Sequence, residues 1–390
     1  MTSKQVPLLE IVVTARPSWA RAKSILEKYC ELYGVNKVRV SLVGPAISTR
    51  YGDISEQVPL DVKKFTFSNL RESDDLSSIA LSCFDGSISL ARHWKEDTPD
   101  CVLVIADRTE TLGVSATAAI MQIPLIHLQG GEVSGSIDDK IRDTNSKLAD
   151  LHLTTNKLSQ KKLLELGENK EDIKIIGCPS IDLVKKVMDN VAKNLSHIHN
   201  FDKIGVGSEF EIDSNYGIIM FHPDTVNEFE NIEWVNRIIE MVEKSNIYWL
   251  WFWPNPDFGT NFISKKLRIL RESGRLKNVK FIINVNPEVF IELAIKAMIL
   301  VGNSSFGIRE SSFIGLPVIN LGKRQIGREK STNVVDLIDL SVSQSLISIY
   351  EKQINMKYVS SSLYGSGNAG LKGAQEIGNW LPRIKSRFRI

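Results

Sequence analysis

Short apolar runs and amphipathic stretches alternate along most of this chain. Residues 8–14 form a continuous apolar run rich in β-branched side chains, the mark of a parallel strand buried on both faces. Residues 19–33 follow with helical spacing, so that Trp19, Ala22, Ile25, Leu26 and Tyr29 share one side. The pairing then recurs. Strands are expected at 38–43, 101–106, 125–127, 151–155 and 173–176, and helices at 76–94, 109–121, 138–148 and 157–166. Such alternation builds a parallel sheet covered by helices on both faces.

The rhythm lapses between about 188 and 214, a polar stretch with scattered Asn and Ser that reads as the connection between domains. It then restarts, with strands expected at 217–221, 247–253, 279–283, 298–301 and 317–321. Helices are expected at 232–243, 262–273 and 288–297, with a short one at 307–313. Two late helices follow, at 343–353 and 374–387, the second kinked at Pro382. The expected fold is α/β, with two doubly wound domains facing each other across a cleft. A length of 390 residues suits two domains better than one.

Composition narrows the partners. With 43% hydrophobic and 24% charged residues and a formal net charge of +2, the chain has no basic tract for nucleic acid and no polybasic membrane patch. No apolar run approaches the ~20 residues of a membrane helix. The start, M-T-S-K-Q-V-P, runs directly into a strand without a signal-peptide core, so a cytoplasmic protein is expected. Cys30, Cys83, Cys101 and Cys178 are widely spaced, which fits neither a zinc site nor a disulfide framework and agrees with a reducing compartment. G-x-G-x-x-G, P-loop, D-x-D and H-E-x-x-H patterns are lacking, so no cofactor and no catalytic metal are expected.

The chemistry-bearing residues collect at strand ends, where open α/β sheets bind ligands. The richest segment is 126–142, I-H-L-Q-G-G-E-V-S-G-S-I-D-D-K-I-R. A glycine pair there precedes Glu132, Asp138 and Asp139, between His127 and Arg142. Glycines at such a place let a ligand approach the backbone, and clustered carboxylates move protons. Asp138 also reads as the cap of the following helix, and His127 as either a core histidine or a site neighbour. Asp107 comes straight after the strand at 101–106. As an isolated residue it reads as a helix cap, but two other strand ends in this half also carry ionisable groups. At 14–21, T-A-R-P-S-W-A-R, Arg16 lies in the turn after the first strand and Arg21 near the start of the first helix. This suits a phosphate, unless both arginines simply face solvent.

The second half offers three more. His222 in M-F-H-P-D-T ends a strand before Pro223 and is either a phosphate donor or a surface-turn histidine. In G-N-S-S-F-G-I-R-E, 302–310, Ser304, Ser305 and the amides around Gly307 form a candidate pyrophosphate cradle. Glu310 is placed there to accept from ribose hydroxyls, the alternative being a capping loop without ligand. The basic loop 321–328, L-G-K-R-Q-I-G-R, carries Arg324 and either closes over a nucleotide or stays solvated. His93, His152, His197 and His199 lack acidic or cysteine partners at ligand spacing. Trp249, Trp251 and Trp253 read as packing.

Taken in order, these segments resemble the hydrolysing UDP-N-acetylglucosamine 2-epimerases of sialic-acid and related nonulosonic-acid biosynthesis. The resemblance runs through A-D-R at 106–108, H-L-Q-G-G-E-V at 127–133, I-D-D-K-I-R at 137–142, I-I-G-C-P-S-I-D at 175–182, F-H-P at 221–223 and G-N-S-S-F-G-I-R-E at 302–310. It also takes in V-G-P-A-I-S-T-R-Y-G at 43–52, G-L-P-V-I-N-L-G at 315–322 and R-Q-I-G-R at 324–328. It implies two Rossmann-like domains in a glycosyltransferase-B arrangement, 1–190 and 191–370, with a helix over 371–390 packing back on the first. The reaction implied is elimination of UDP to a 2-acetamidoglucal, then water addition with inversion at C2, on a UDP-N-acetylhexosamine. The protein would be a homodimer or homotetramer. The resemblance makes Asp107, Glu132 and Asp139 the acid/base candidates. Arg16, Arg21, Arg142, His222, Ser304, Ser305, Glu310 and Arg324 become substrate contacts. Two departures stand out. Relatives usually have a glycine before the arginine of T-A-R-P, and Asp143 stands where they commonly have histidine, which bears on the sugar accepted.

Overall fold

The structure, a computed structural model, describes residues 6–48, 53–68, 76–134, 137–199, 201–223, 228–253, 260–283, 285–341 and 345–384. Gly135 and the end of the 43–52 segment lie outside them. The chain divides into two compact units, Met1–Asp182 with Gly365–Ile390, and Leu183–Tyr364.

The first unit holds a seven-stranded parallel sheet. Its strands are β1 (Leu9–Val13), β2 (Val38–Val43), β3 (Lys63–Phe67), β4 (Cys101–Ile105), β5 (Leu125–Leu128), β6 (Leu151–Thr154) and β7 (Ile173–Ile175), in the order β3-β2-β1-β4-β5-β6-β7. Helices α1 (Arg16–Tyr33), α2 (Leu76–Glu96), α3 (Thr109–Ile120), α4 (Ile137–Leu148) and α5 (Lys157–Glu165) connect them, and α6 (Pro179–Ala192) leads out. The central strands are buried along their whole length, as their unbroken apolar runs require. The chain lays β1, β2 and β3 outward, then returns with β4 beside β1. That reversal opens a crevice beyond the carboxyl ends of β1 and β4, the usual place for a ligand in such sheets.

The second unit repeats the plan. Its strands are β8 (Val206–Gly207), β9 (Tyr216–Met220), β10 (Tyr248–Phe252), β11 (Val279–Ile282), β12 (Leu300–Gly302), β13 (Val318–Leu321) and β14 (Val334–Leu337). They run in the order β14-β13-β12-β9-β10-β11-β8, parallel except for β8 against β11. Its helices are α7 (Glu228–Lys244), α8 (Thr260–Glu272), α9 (Pro287–Lys296), the short α10 (Glu310–Ile314) and α11 (Leu346–Gln353). Here the strand order reverses between β9 and β12. Trp249 and Trp251 are buried in the core, as packing residues.

Four of these elements escape the hydrophobic pattern, the two-residue β8 among them. β3 and β14 are edge strands with half-exposed side chains, so neither carries an apolar run. α6 occupies part of the stretch read as irregular connection, and the chain leaves the first unit inside this helix, after Asp182. A C-terminal helix, Ala369–Ile384, belongs to the first unit. Asp182 caps it, accepting from the backbone N–H of Ala369 at 2.8 Å and of Gly370 at 2.7 Å. Ala369, Ala374, Ile377 and Trp380 bury against the core that holds Ile25 and Tyr29 of α1.

One buried charge pair anchors the first sheet. Glu10 on β1 accepts from Arg39 Nε at 2.6 Å, Ser41 Oγ at 2.6 Å and Trp94 Nε1 at 2.9 Å, and Arg39 also meets Asp97 at 2.7 Å. Removing one partner strands the other in an apolar interior. Arg39→Met is therefore expected to destabilise the first unit by about 3–5 kcal/mol, read from urea unfolding. Adding Glu10→Gln should recover a good part of that loss, and no recovery would refute the pairing argument.

Among the described residues no helix is long and apolar enough to cross a membrane, and no cluster of three or more His, Cys, Asp or Glu is placed to hold a metal ion. All four cysteines are free thiols.

Candidate active site

In the first unit the strand ends gather three carboxylates around one guanidinium. Asp107 follows β4 after one residue, Ala106, while Glu132 lies in the loop after β5, and Asp139 and Arg142 sit on α4. Arg142 Nη1 donates to Asp139 Oδ1 and to the Glu132 carbonyl, both at 2.5 Å, while Nη2 donates to Asp107 Oδ2. Asp139 Oδ1 also accepts from the Ser134 amide at 2.8 Å and the Ser134 hydroxyl at 2.7 Å. The Glu132 carboxylate accepts from Thr155 Oγ1 at 3.3 Å and is 7% exposed. Asp107 and Asp139 each keep about a quarter of their side chains open, whereas Arg142 is fully covered. Burial works against the Arg142 charge, but Asp107, Glu132 and Asp139 outweigh it and hold the guanidinium above its ordinary pKa. Arg142 is thus the buried hub of the cluster, and its carboxylate partners present the open face.

The capping reading of Asp107 does not hold. The N-cap of α3 is Arg108, without a side-chain cap bond, and Asp107 turns to Arg142 instead. Asp138 lies within the first turn of α4, where its charge complements the helix dipole. The glycine pair also has another purpose than the one its position suggested. A Cβ at Gly130 would meet Ser146 Oγ at 2.7 Å and His127 Nδ1 at 2.8 Å. One at Gly131, where φ is +78°, would meet the Ser159 carbonyl at 2.2 Å. Protein fills the space that side chains here would need, so the pair lets α4 and α5 close in beneath Glu132.

His127 is a satisfied core histidine. Its Nε2 lies 2.8 Å from the Ala106 carbonyl and its Nδ1 3.0 Å from Ser146 Oγ. Burial, with help from His152 and Arg142, pushes its pKa down to about 4. The folded state therefore keeps His127 neutral while the unfolded chain takes up a proton near the ordinary value of 6.5. Its contribution to stability is complete above pH 6.5 and is lost as pH falls toward 4. The expected loss over that window is about 3 kcal/mol, measured as the difference in acid unfolding between wild type and His127→Gln. Parallel stability profiles for the two proteins between pH 6.5 and 4 would refute it.

Strain marks the same strand ends. Ala106 and Gln129 both have positive φ, +57° and +67°, in residues with a Cβ. Such backbone costs on the order of 1–2 kcal/mol per residue. Arg16 heads α1 at the switch point, followed by Pro17, so it opens the helix rather than lying in the turn before it. Arg21 lies more than one turn further along α1. Asp143, also on α4, is half-buried with Lys162 Nζ 3.8 Å away, and burial raises its pKa against the pull of Lys162.

In the second unit the loops after β9 and β12 meet. Asn303 Oδ1 accepts from the His222 amide at 2.8 Å, and Asn303 Nδ2 donates to the His222 carbonyl at 2.7 Å. Gln325 Nε2 donates to the Asn303 carbonyl at 2.9 Å, and Arg328 donates to Gln325. His222 is thereby fixed by its own backbone, and its buried Nδ1 has no hydrogen-bond partner among the described residues. Burial, reinforced by Arg324, pushes its pKa down to about 3, which also places Arg324 in electrostatic reach of the ring. A phosphate brought against His222 would favour its charged form.

Ser304 caps a 3-10 turn, Ser305–Gly307, accepting from the Phe306 amide at 3.3 Å, and Arg309 donates to Ser305 Oγ at 3.1 Å. Glu310 opens α10. Its buried Oε2 has no hydrogen-bond partner among the described residues and lies 3.8 Å from Arg309 Nε, an acceptor that suits a hydroxyl-bearing ligand. Asn303 and Gln325 are the positioning residues that sequence reasoning passed over. Both lie inside motifs singled out for their charges and hydroxyls, and nothing in their spacing distinguishes a backbone clamp from a loop amide.

Carboxylates gather beyond the strand ends of the first doubly wound sheet, and buried polar atoms unmet among the described residues lie at the switch point of the second, each within its own Rossmann-like unit. Comparison with known proteins gives the family. A family model described as UDP-N-acetylglucosamine 2-epimerase matches residues 36–377. The chain belongs to the UDP-N-acetylglucosamine 2-epimerase family. It is 26% identical over 361 residues to the UDP-N,N'-diacetylbacillosamine 2-epimerase (hydrolyzing) of Legionella pneumophila, covering 91% of each chain. It is 29% identical over 329 residues to the UDP-N-acetylglucosamine 2-epimerase of Neisseria meningitidis, covering 83% of this chain and 82% of that one. A crystal structure of UDP-GlcNAc 2-epimerase from Neisseria meningitidis bound to UDP-GlcNAc superposes with a TM-score of 0.74 at 18% identity. The match covers 95% of this chain and 99% of that one, a likeness of fold of the glycosyltransferase-B type.

Proposed function

We propose that this protein is a hydrolysing 2-epimerase that converts UDP-N-acetylglucosamine and water to N-acetylmannosamine and UDP. The observation that carries the reading is the cluster of Asp107, Glu132 and Asp139 around Arg142. A carboxylate of this cluster takes the C2 proton while the C1–O bond breaks and its electron pair leaves with UDP. The product is a 2-acetamidoglucal. Water then adds across the double bond, its hydroxyl to C1 and a proton to C2 on the opposite face. Proton transfer by a placed side chain is what a weakly acidic C2–H requires. On the nucleotide side, Arg16, Arg21, His222, Ser304, Ser305 and Arg324 meet the diphosphate, and Glu310 accepts from the ribose. The Neisseria meningitidis structure is bound to UDP-GlcNAc, which supports a nucleotide-sugar substrate. Cytoplasmic location and assembly as a homodimer or homotetramer belong to the same reading.

A second reading keeps the reaction and changes the sugar to a UDP- or GDP-linked 2,4-diacetamido-trideoxy sugar. Asp143 in place of a histidine, and the name of the Legionella pneumophila relative, favour it. Incubation with a panel of UDP- and GDP-linked sugars, followed by proton NMR, separates the two. Free sugar carrying solvent deuterium at C2 supports hydrolytic epimerisation and identifies the substrate. Sugar joined to an added acceptor, with UDP released only in its presence, would make the protein a glycosyltransferase of the same fold. No turnover of any sugar would overturn both readings.

A further inference from the structure

We propose that His127 is a positioning residue, which through the Ala106 carbonyl holds the left-handed turn that aims the Asp107 carboxylate. The proposal rests on the reading of Asp107 as an acid/base group of the reaction above.

Ala106 stands where β4 leaves the sheet. Its N–H still donates to the Leu128 carbonyl at 2.9 Å, so the ladder with β5 persists up to this residue. Its φ of +57° then turns the carbonyl out of the ladder, at a residue only 3% exposed. A buried carbonyl without a donor is not tolerated. Two side chains supply donors, His127 Nε2 at 2.8 Å and Asn145 Nδ2 at 3.3 Å. A carbonyl only accepts, so Nε2 carries the proton and Nδ1 accepts from Ser146 Oγ. The ring is fully buried, and a Cβ at Gly130 would come within 2.8 Å of Nδ1, so only glycine leaves the imidazole its place.

The next residue is Asp107. Its side chain is held by Arg142, and the backbone that presents it is held by His127 and Asn145. Arg142, Asn145 and Ser146 lie three and four residues apart on one face of α4. His127 joins that face to β5 and ties it to the strained turn. An apolar residue would fill the same space and leave the turned carbonyl unpaired, relaxing the turn that points Asp107.

The test compares wild type with His127→Leu, His127→Met and His127→Gln in steady-state sugar release. The Gln amide N–H reaches the place of Nε2 and restores the bond to Ala106. His127→Leu is expected to lower kcat by about 100-fold with KM nearly unchanged, as for a displaced reacting group. His127→Gln is expected to recover most of it at a melting temperature similar to that of His127→Leu. Equal kcat in Leu and wild type, or equal losses in Leu and Gln, overturns the proposal. If His127→Leu fails to fold, His127→Met, which also lacks a donor for the Ala106 carbonyl, decides: a fall in kcat with KM kept supports the proposal, and an unchanged kcat overturns it. A wild type that turns over no nucleotide sugar refutes the proposed function instead. Crystal structures of wild type, His127→Gln and whichever of His127→Leu and His127→Met folds then decide the positioning role. Loss of the Asp107–Arg142 pair in the variant without a donor and its retention in His127→Gln supports it, and an unmoved Ala106 turn in the variant without a donor overturns it.

Discussion

Replacing Glu132 with Gln is expected to lower sugar release by about 10²–10⁴-fold while leaving UDP binding intact. The amide keeps the size of the carboxylate, and its oxygen still accepts from the Thr155 hydroxyl 3.3 Å away, so the loop after β5 holds its course. What is lost is a proton acceptor at one strand end of the switch-point cluster. Asp107→Asn should behave alike, because the retained carbonyl oxygen can still accept from Arg142. The pattern to look for is a drop in kcat without a matching change in KM, with UDP affinity from titration calorimetry equal to wild type. Such a split marks an interaction made in the transition state. Wild-type turnover in Glu132→Gln would remove Glu132 from the chemistry. Loss of UDP binding would make it a binding residue.

The second large effect concerns Arg142. Its guanidinium is buried and joins Asp107, Asp139 and the Glu132 carbonyl, so removing it leaves two carboxylates facing each other with no cation between them. Arg142→Met is expected to destabilise the first unit by about 3–5 kcal/mol and to abolish turnover together with it. Urea unfolding gives the first quantity and sugar release the second. Arg142→Lys should not restore activity, because a single ammonium lacks the fork that reaches Asp107 and Asp139 from two nitrogens. Unfolding of Arg142→Met at the wild-type urea midpoint would show that the cluster carries no stability of its own.

Much of this was legible along the chain. β1, β4, β5 and β6 are short and wholly buried, so their apolar runs stand out against the amphipathic helices between them. The ionisable residues of interest fall at the ends of those runs, where the backbone leaves the sheet and side chains reach open space. β3 was not legible, because Lys63-Lys64-Phe65-Thr66-Phe67 lies at an edge and is mostly exposed. Nor was α6, over which no helix was expected. Its apolar positions Ile181, Val184 and Val187 are there, but Asn and Lys around them blur the end of the helix.

The roles inside the site divide in the same way. Periodicity and residue type placed Asp107, Glu132, His222 and Ser304 at strand ends, and Asp139 and Glu310 early in the helices that follow, because those signals depend on neighbours along the chain. Whether Arg142 faces a ligand or lies beneath the carboxylates depends on groups 3 to 35 residues away meeting in space. The same holds for the glycine pair, whose open space is taken by Ser146 and by the Ser159 backbone, and for Asn303, whose two bonds to His222 cross 81 residues of sequence. Local hydrophobic order therefore determined the two sheets and the candidate chemistry. Tertiary structure alone decided which polar groups are organisers, since a buried polar atom must find its partner wherever the fold brings one.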